Sequence, residues 1–214
     1  MHSGILSKES NNKYYCHNPT HMTIVEFLGL PRSGISTHAL LLEKECERRG
    51  YSTQRVDDRE FFPTMHTAVG DLRGVCIVHG AHLIESLYQH KGTDYLIFAR
   101  GLTDSRMWLT MGYERGIIET TDLFRPYEAQ TDYTILLETK PEVSKARHAK
   151  TKNHLAIDQE GLSDATLEHM SRIYERFKYS CDPKKTLCLP TNEPIDVLQK
   201  KVQEFVFQKP RLMR

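Results

Sequence analysis

The chain has 214 residues, 39% of them hydrophobic, and 29 basic against 28 acidic residues give a net charge of +1. That length suits one α/β domain with a sizeable core, and the balanced charge gives no global reason to expect a nucleic acid or an anionic membrane as partner. No apolar run approaches the roughly 20 residues of a membrane span, and Met1 to Asn12 lack the apolar segment of a secretory signal, so a soluble, cytoplasmic protein is expected.

Residues 1–21 are polar, rich in Asn, Ser and His, and without periodicity; they read as a flexible N-terminal extension ahead of a domain over 22–209. The apolar run from Thr23, closed by Gly29 and followed by a helical pattern, predicts a buried parallel strand. A helix is expected from Ser36 to Arg49, stopped by Gly50. Further strands are predicted at Ser52–Val56, Tyr95–Ala99, Tyr133–Leu137 and Thr186–Leu189, with helices at His82–Gln89, Trp108–Gly116, Pro141–Thr151, Ser163–Lys178 and Pro194–Phe207. Strands alternating with helices imply a parallel sheet covered on both faces. The five cysteines, Cys16, Cys46, Cys76, Cys181 and Cys188, form no C-x-x-C pair, and an odd, irregular set argues against a disulfide framework. Cys16, His17 and His21 have no second cluster to complete a metal site.

Between the first strand and first helix lies Gly29-Leu-Pro-Arg-Ser-Gly34-Ile35-Ser36-Thr37. Its glycine spacing and context match a phosphate-binding loop, G-x-x-x-x-G-K-[ST], in which successive amides and the helix N-terminus cradle an anion. Gly29, Arg32, Ser33, Gly34, Ile35, Ser36 and Thr37 are the candidate nucleotide-binding residues, with Ser36 at the magnesium-ligand position. Isoleucine stands at position 35, where such a loop carries lysine. That lysine lays its ammonium on the β- and γ-phosphates, and losing one such donor costs on the order of 100- to 1000-fold in rate. Arg32 can replace part of its charge from another direction. The plainer reading of the segment is a glycine-rich turn.

Thr23 to Arg59 resembles the start of thymidylate kinases: strand, phosphate loop, helix, glycine, second strand and an arginine-bearing loop. Tyr95-Leu-Ile-Phe-Ala99-Arg100-Gly101 is similar to the strand-end D-R-[YG] motif of thymidylate and deoxynucleoside kinases, with Ala99 in place of the aspartate. The resemblance implies the three-layer P-loop nucleoside-triphosphate-hydrolase fold, a five-stranded parallel sheet flanked by helices, and a lid around 147–163. It implies phosphoryl transfer from ATP, with Mg2+, to a (deoxy)nucleoside or nucleoside monophosphate. On this footing Arg32 and Arg100 are the catalytic candidates, Arg59, Arg100, Asp104 and Trp108 face the acceptor, and Ser36 holds magnesium. Arg147, Lys150 and Lys152 belong to the closing lid, with Tyr174 and Arg176 on the helix after it.

Arg32, Arg59 and Arg100 fall on the C-terminal edge of the predicted sheet, where open α/β folds bind ligands; solvated surface arginines are the plain alternative. Trp108 suits core packing as well as base stacking. Lys150, Lys152 and His154 suit a solvated helix end as well as a phosphate-closing role, His66, His79, His82 and His90 show no ligand spacing, and Asp57 or Asp58 could supply the missing carboxylate. With Ile35 and Ala99 in diagnostic places, two expectations stand side by side: an impaired kinase, or an inactive pseudokinase that binds a nucleotide or a partner. A nucleic-acid-directed kinase is a weaker third. A nucleotide is the expected partner, a second copy of the chain is left open, and neither a membrane nor a nucleic acid is expected.

Overall fold

Thr23–Gly29 is buried at every residue, as a strand covered on both faces must be. The structure, a computed structural model, describes residues 21–57, 72–111, 124–150 and 163–208. In chain order these form β1 (Thr23–Gly29), α1 (Ile35–Arg48), β2 (Thr53–Asp57), α2 (Leu72–Gln89), β3 (Tyr95–Ala99), α3 (Leu102–Met111) and α4 (Arg125–Glu128). There follow β4 (Tyr133–Glu138), α5 (Pro141–Ala149), α6 (Asp164–Ser180), β5 (Thr186–Pro190) and α7 (Ile195–Gln208). The strands make one all-parallel sheet in the order β2-β3-β1-β4-β5. β1 is therefore central, and the loop after it opens at the middle of the C-terminal edge.

Alternation along the strands divides the core. Val25, Phe27, Ile97, Ala99, Ile135 and Leu137 pack under α1 and α7 with Ala39, Leu42 and Val202. Ile24, Leu28, Leu96, Phe98 and Leu136 face the other way, against Leu83 of α2, Leu109 of α3 and Met170 of α6. The parallel sheet and its two helical layers agree with the sequence expectation. Three helices differ from it. α2 starts at Leu72 rather than His82, because its first half is rich in glycine and β-branched residues, whose weak propensity is overridden by packing. α4 was not expected; Pro126 sits in its first turn, where a missing N–H costs nothing. α3 starts at Leu102 rather than Trp108, and the cause lies on β1. Residues 1–20 of the expected N-terminal extension, and residues 151–162 of the expected lid, fall outside the described residues.

Glu26 projects from the centre of β1 into the α3 side of the core, 1% exposed. Its carboxyl accepts from the Thr103 backbone amide at 3.2 Å, the Thr103 hydroxyl at 2.5 Å and the Thr134 hydroxyl at 3.1 Å. An orphan amide in the first turn of α3 is thus satisfied from beneath, which lets the helix begin at polar Thr103-Asp104-Ser105. A methyl group at Gly101 would run into the Glu26 side chain, so this close approach requires glycine. Burial pushes the Glu26 carboxyl up to about 7, against the lowering effect of the Thr103 and Thr134 bonds.

A carboxyl raised on folding binds more protons folded than unfolded, so its contribution falls as pH rises from its ordinary value, 4.5, through about 7. Burial drives His79 the opposite way, down to about 3, which removes stability below the ordinary histidine range. The two effects separate in a variant. Glu26→Gln is expected to gain stability relative to the native chain as pH rises from about 5 to about 8, by up to about 3 kcal/mol. Urea unfolding across that range measures the difference, and a difference independent of pH contradicts the assignment.

Candidate functional site

The loop from Gly29 to Gly34 is shaped by backbone conformations that few residues adopt. Gly29, Arg32 and Gly34 have φ of 150°, 62° and 103°. A Cβ on Gly29 would lie 2.8 Å from both the Leu137 carbonyl oxygen and Ser33 Oγ, so only glycine fits. The Ser33 amide donates to the Leu30 carbonyl at 3.1 Å. Ser33 Oγ is buried without a hydrogen-bond partner among the described residues. α1 begins at once, with Gly34 as its N-cap, no capping side chain and no acidic residue in its first turn. Its first amides have no acceptor within the helix and carry the positive end of its dipole.

Ile35 is 5% exposed and belongs to the apolar cluster of Val25, Phe27 and Ala99. With Ala39, Leu42 and Cys46 it forms the buried stripe of α1. Its side chain is therefore committed to the core, while its amide remains in the first turn. Ala99 lies in the same cluster, so both side chains belong to one core.

The carboxylate absent at Ala99 is found one strand away. In the β2–β3 register Asp57 is the partner of Ala99, and Asp57 is 1% exposed. Its Oδ1 lies 3.5 Å from Ser36 Oγ, while Oδ2 accepts from Arg55 Nη1 at 2.7 Å. Arg55 Nε also donates to Glu43 at 2.9 Å. A hydroxyl and one carboxylate oxygen side by side are the hard donors that Mg2+ takes alongside phosphate oxygens and water. Arg55 orients the carboxylate from behind. The residues present fit that ion.

A second network holds the base of the loop. Arg100, in the left-handed region at φ 82°, donates from Nη1 to Asp104 Oδ2 at 2.7 Å and to the Gly29 carbonyl at 3.2 Å. The Tyr174 hydroxyl, on α6, lies 2.5 Å from Asp104 Oδ1 and 3.1 Å from the same carbonyl. Burial, and then the Asp104 charge, push the Tyr174 hydroxyl well above its ordinary range, which keeps it a neutral donor. Trp108 packs in the core beneath, 9% exposed, with Arg100 6.0 Å from its ring.

α5 closes the far side. Ser144 donates to the Pro31 carbonyl at 2.5 Å. Arg147 reaches the carbonyls of Arg32, Ser33 and Thr191 at 3.3, 3.4 and 2.9 Å, and so ties the loop to the segment after β5. Beside it opens a cavity of about 900 Å³ lined by Leu30, Thr139, Arg147, Tyr174, Thr191 and Glu193, among others. Thr139 and Thr191 meet there, hydroxyl to hydroxyl, at 2.8 Å.

The structure thus brings Gly29 to Thr37, Arg100, Asp104 and Arg147 together at one sheet edge. Trp108 it places in the core. Lys150 and Arg176 are exposed, and Arg59, Asp58, Lys152, His66 and His154 lie outside the described residues. Sequence reading missed Thr139, Ser144 and Thr191. The usable signal was their place, just beyond the C-terminal ends of β4 and β5 or in the first turn of α5.

By sequence the chain matches no protein-family model and no curated protein. By structure it has the P-loop kinase fold of deoxynucleoside kinases. It is similar to deoxyadenosine kinase from M. mycoides with products dCMP and a flexible dCDP bound, at TM-score 0.62 and 15% identity, covering 87% of this chain and 100% of that one. The same enzyme with bound dATP gives TM-score 0.62 and 16% identity over 86% and 98% of the two chains.

Asp104→Ala should cost about 3 kcal/mol, since it strands a mostly buried guanidinium. Tyr174→Phe, which removes only the hydroxyl, should cost about 1 kcal/mol. Denaturant unfolding of both variants checks the order, and equal losses would contradict the network.

Proposed function

We propose that this chain binds a nucleotide through the Gly29–Thr37 loop and derives from enzymes that transfer the γ-phosphoryl of ATP to a (deoxy)nucleoside or nucleoside monophosphate, with transfer impaired. The observation that carries the reading is the direction of Ile35. Its side chain packs into the core with Val25 and Phe27 and leaves the first-turn amides of α1 facing the loop. The nucleotides bound in the M. mycoides structures support the same ligand class.

In this reading the loop amides and the α1 dipole hold the phosphates, and Arg32, at the loop's turn, supplies a cation. Ser36 and Asp57 would hold Mg2+, which supplies charge neutralisation between phosphate oxygens when bound. Arg100 faces the acceptor, together with Arg59. The cavity edged by Thr139 and Thr191 receives the donor's base, and Arg147 fixes the loop against that wall. The segment 147–163 is assigned as the lid of a single domain over 22–209, and a homodimer is compatible with it.

A pseudokinase is the second reading, and the apolar pair Ile35 and Ala99 favours it. Transfer is mostly positioning and charge stabilisation, and both positions now contribute neither.

Calorimetry with ATP, ADP and dATP, with and without Mg2+, tests binding. At least one should bind, and binding of none would leave only a scaffold role. Magnesium should strengthen ATP binding by about tenfold, and Asp57→Asn should erase that gain. The double variant Ile35→Lys, Ala99→Asp should raise ATP turnover on the order of 100-fold. Ile35→Lys alone should mainly destabilise, because it puts an ammonium into the apolar cluster of Val25 and Phe27. Native turnover matched by the double variant would refute the impairment.

A further inference from the structure

Every backbone carbonyl from Gly29 to Gly34 accepts a hydrogen bond from within the protein. Gly29 accepts from Arg100 and Tyr174, Leu30 from the Ser33 amide, Pro31 from Ser144, Arg32 and Ser33 from Arg147, and Gly34 from the His38 amide at 3.0 Å. In a trans peptide the N–H points opposite to the C=O, and the described residues contain no cis bond. By holding the Pro31 and Ser33 carbonyls, α5 therefore turns the Arg32 and Gly34 amides away from itself. Ser33 Oγ points into the loop: it is 2% exposed, has no hydrogen-bond partner among the described residues, and lies 2.8 Å from where a Cβ on Gly29 would stand. A buried hydroxyl costs free energy until an acceptor is supplied, and a phosphate oxygen is such an acceptor. The hydroxyl thus points to an anion independently of the α1 terminus.

Charge around this cradle is less generous than its amides. Arg55 is engaged by Asp57 and Glu43, Arg100 by Asp104, and Arg147 by three carbonyls. Ile35 brings no ammonium, because its side chain packs in the core. Arg32, half-buried at the turn, offers one positive charge, and Asp57 sets a negative one 3.5 Å from Ser36 Oγ. Amides, dipole and the Ser33 hydroxyl suit a short phosphate chain. A third phosphate adds negative charge beside Asp57 where the loop has no lysine to meet it.

We propose that the Gly29–Thr37 loop is a nucleoside-diphosphate site, which without magnesium holds ADP more tightly than ATP. The assignment rests on the nucleotide reading of this loop and adds the number of phosphates it prefers. Ser33 is its additional ligand, donating to a phosphate oxygen. In phosphoryl transfer from ATP the diphosphate is the product, so the preference keeps the loop in its spent state.

Calorimetric titration of the full chain with ADP and with ATP, both in excess chelator, is the test. ADP should bind about tenfold more tightly than ATP. Ser33→Ala should weaken ADP about fivefold without lowering the stability of the unliganded protein, since the hydroxyl has no partner there to lose. Asp57→Asn should narrow the gap by strengthening ATP while leaving ADP within about twofold. Equal affinities, or tighter ATP, would overturn the diphosphate preference and leave the nucleotide reading standing. Binding of neither nucleotide would overturn both. Unchanged ADP affinity in Ser33→Ala would overturn the hydroxyl's assignment as a ligand.

Discussion

The Gly29 carbonyl oxygen is where the architecture of the edge converges. It accepts from Arg100 and from Tyr174, and both donors are anchored to Asp104. One carboxylate thereby fixes three things: the exit of the central strand, the first turn of α3, and the middle of α6. Because Asp104 is almost fully buried, its charge is tolerable only while both partners are present. The loop from Gly29 to Gly34 inherits its shape from this clasp at one end and from Ser144 and Arg147 at the other.

The treatment of charge around the loop follows a single rule. Ile35 and Ala99 belong to one apolar cluster, so neither position carries a charge at the floor of the site. Asp57 sets a carboxylate beside Ser36 Oγ, and Arg55 compensates its charge. The opening of the site thus stays polar while its floor has become core.

The five strands of a parallel sheet and both helical layers were legible in the sequence because each strand is a bounded apolar run and helical patterns lie between them. The loop was legible because glycine spacing and the strand-to-helix context are local signals. The onset of α3 was not, since it depends on a carboxyl 77 residues away in sequence, from Glu26 to Thr103. The cavity between β4, β5 and α5 was equally hidden, for Thr139 and Thr191 are unremarkable until the sheet sets them side by side.

Arg32 and Arg100 hold left-handed backbone conformations, at φ 62° and 82°, that arginine adopts at a cost of about 1 kcal/mol or more each. Glycine would relieve both residues and forfeit both guanidinium groups. At Arg32 stability and charge therefore compete, whereas at Arg100 the same change would strand the buried Asp104 carboxylate. Screens for thermal robustness alone would drift toward glycine at position 32, erasing one cation that borders the loop.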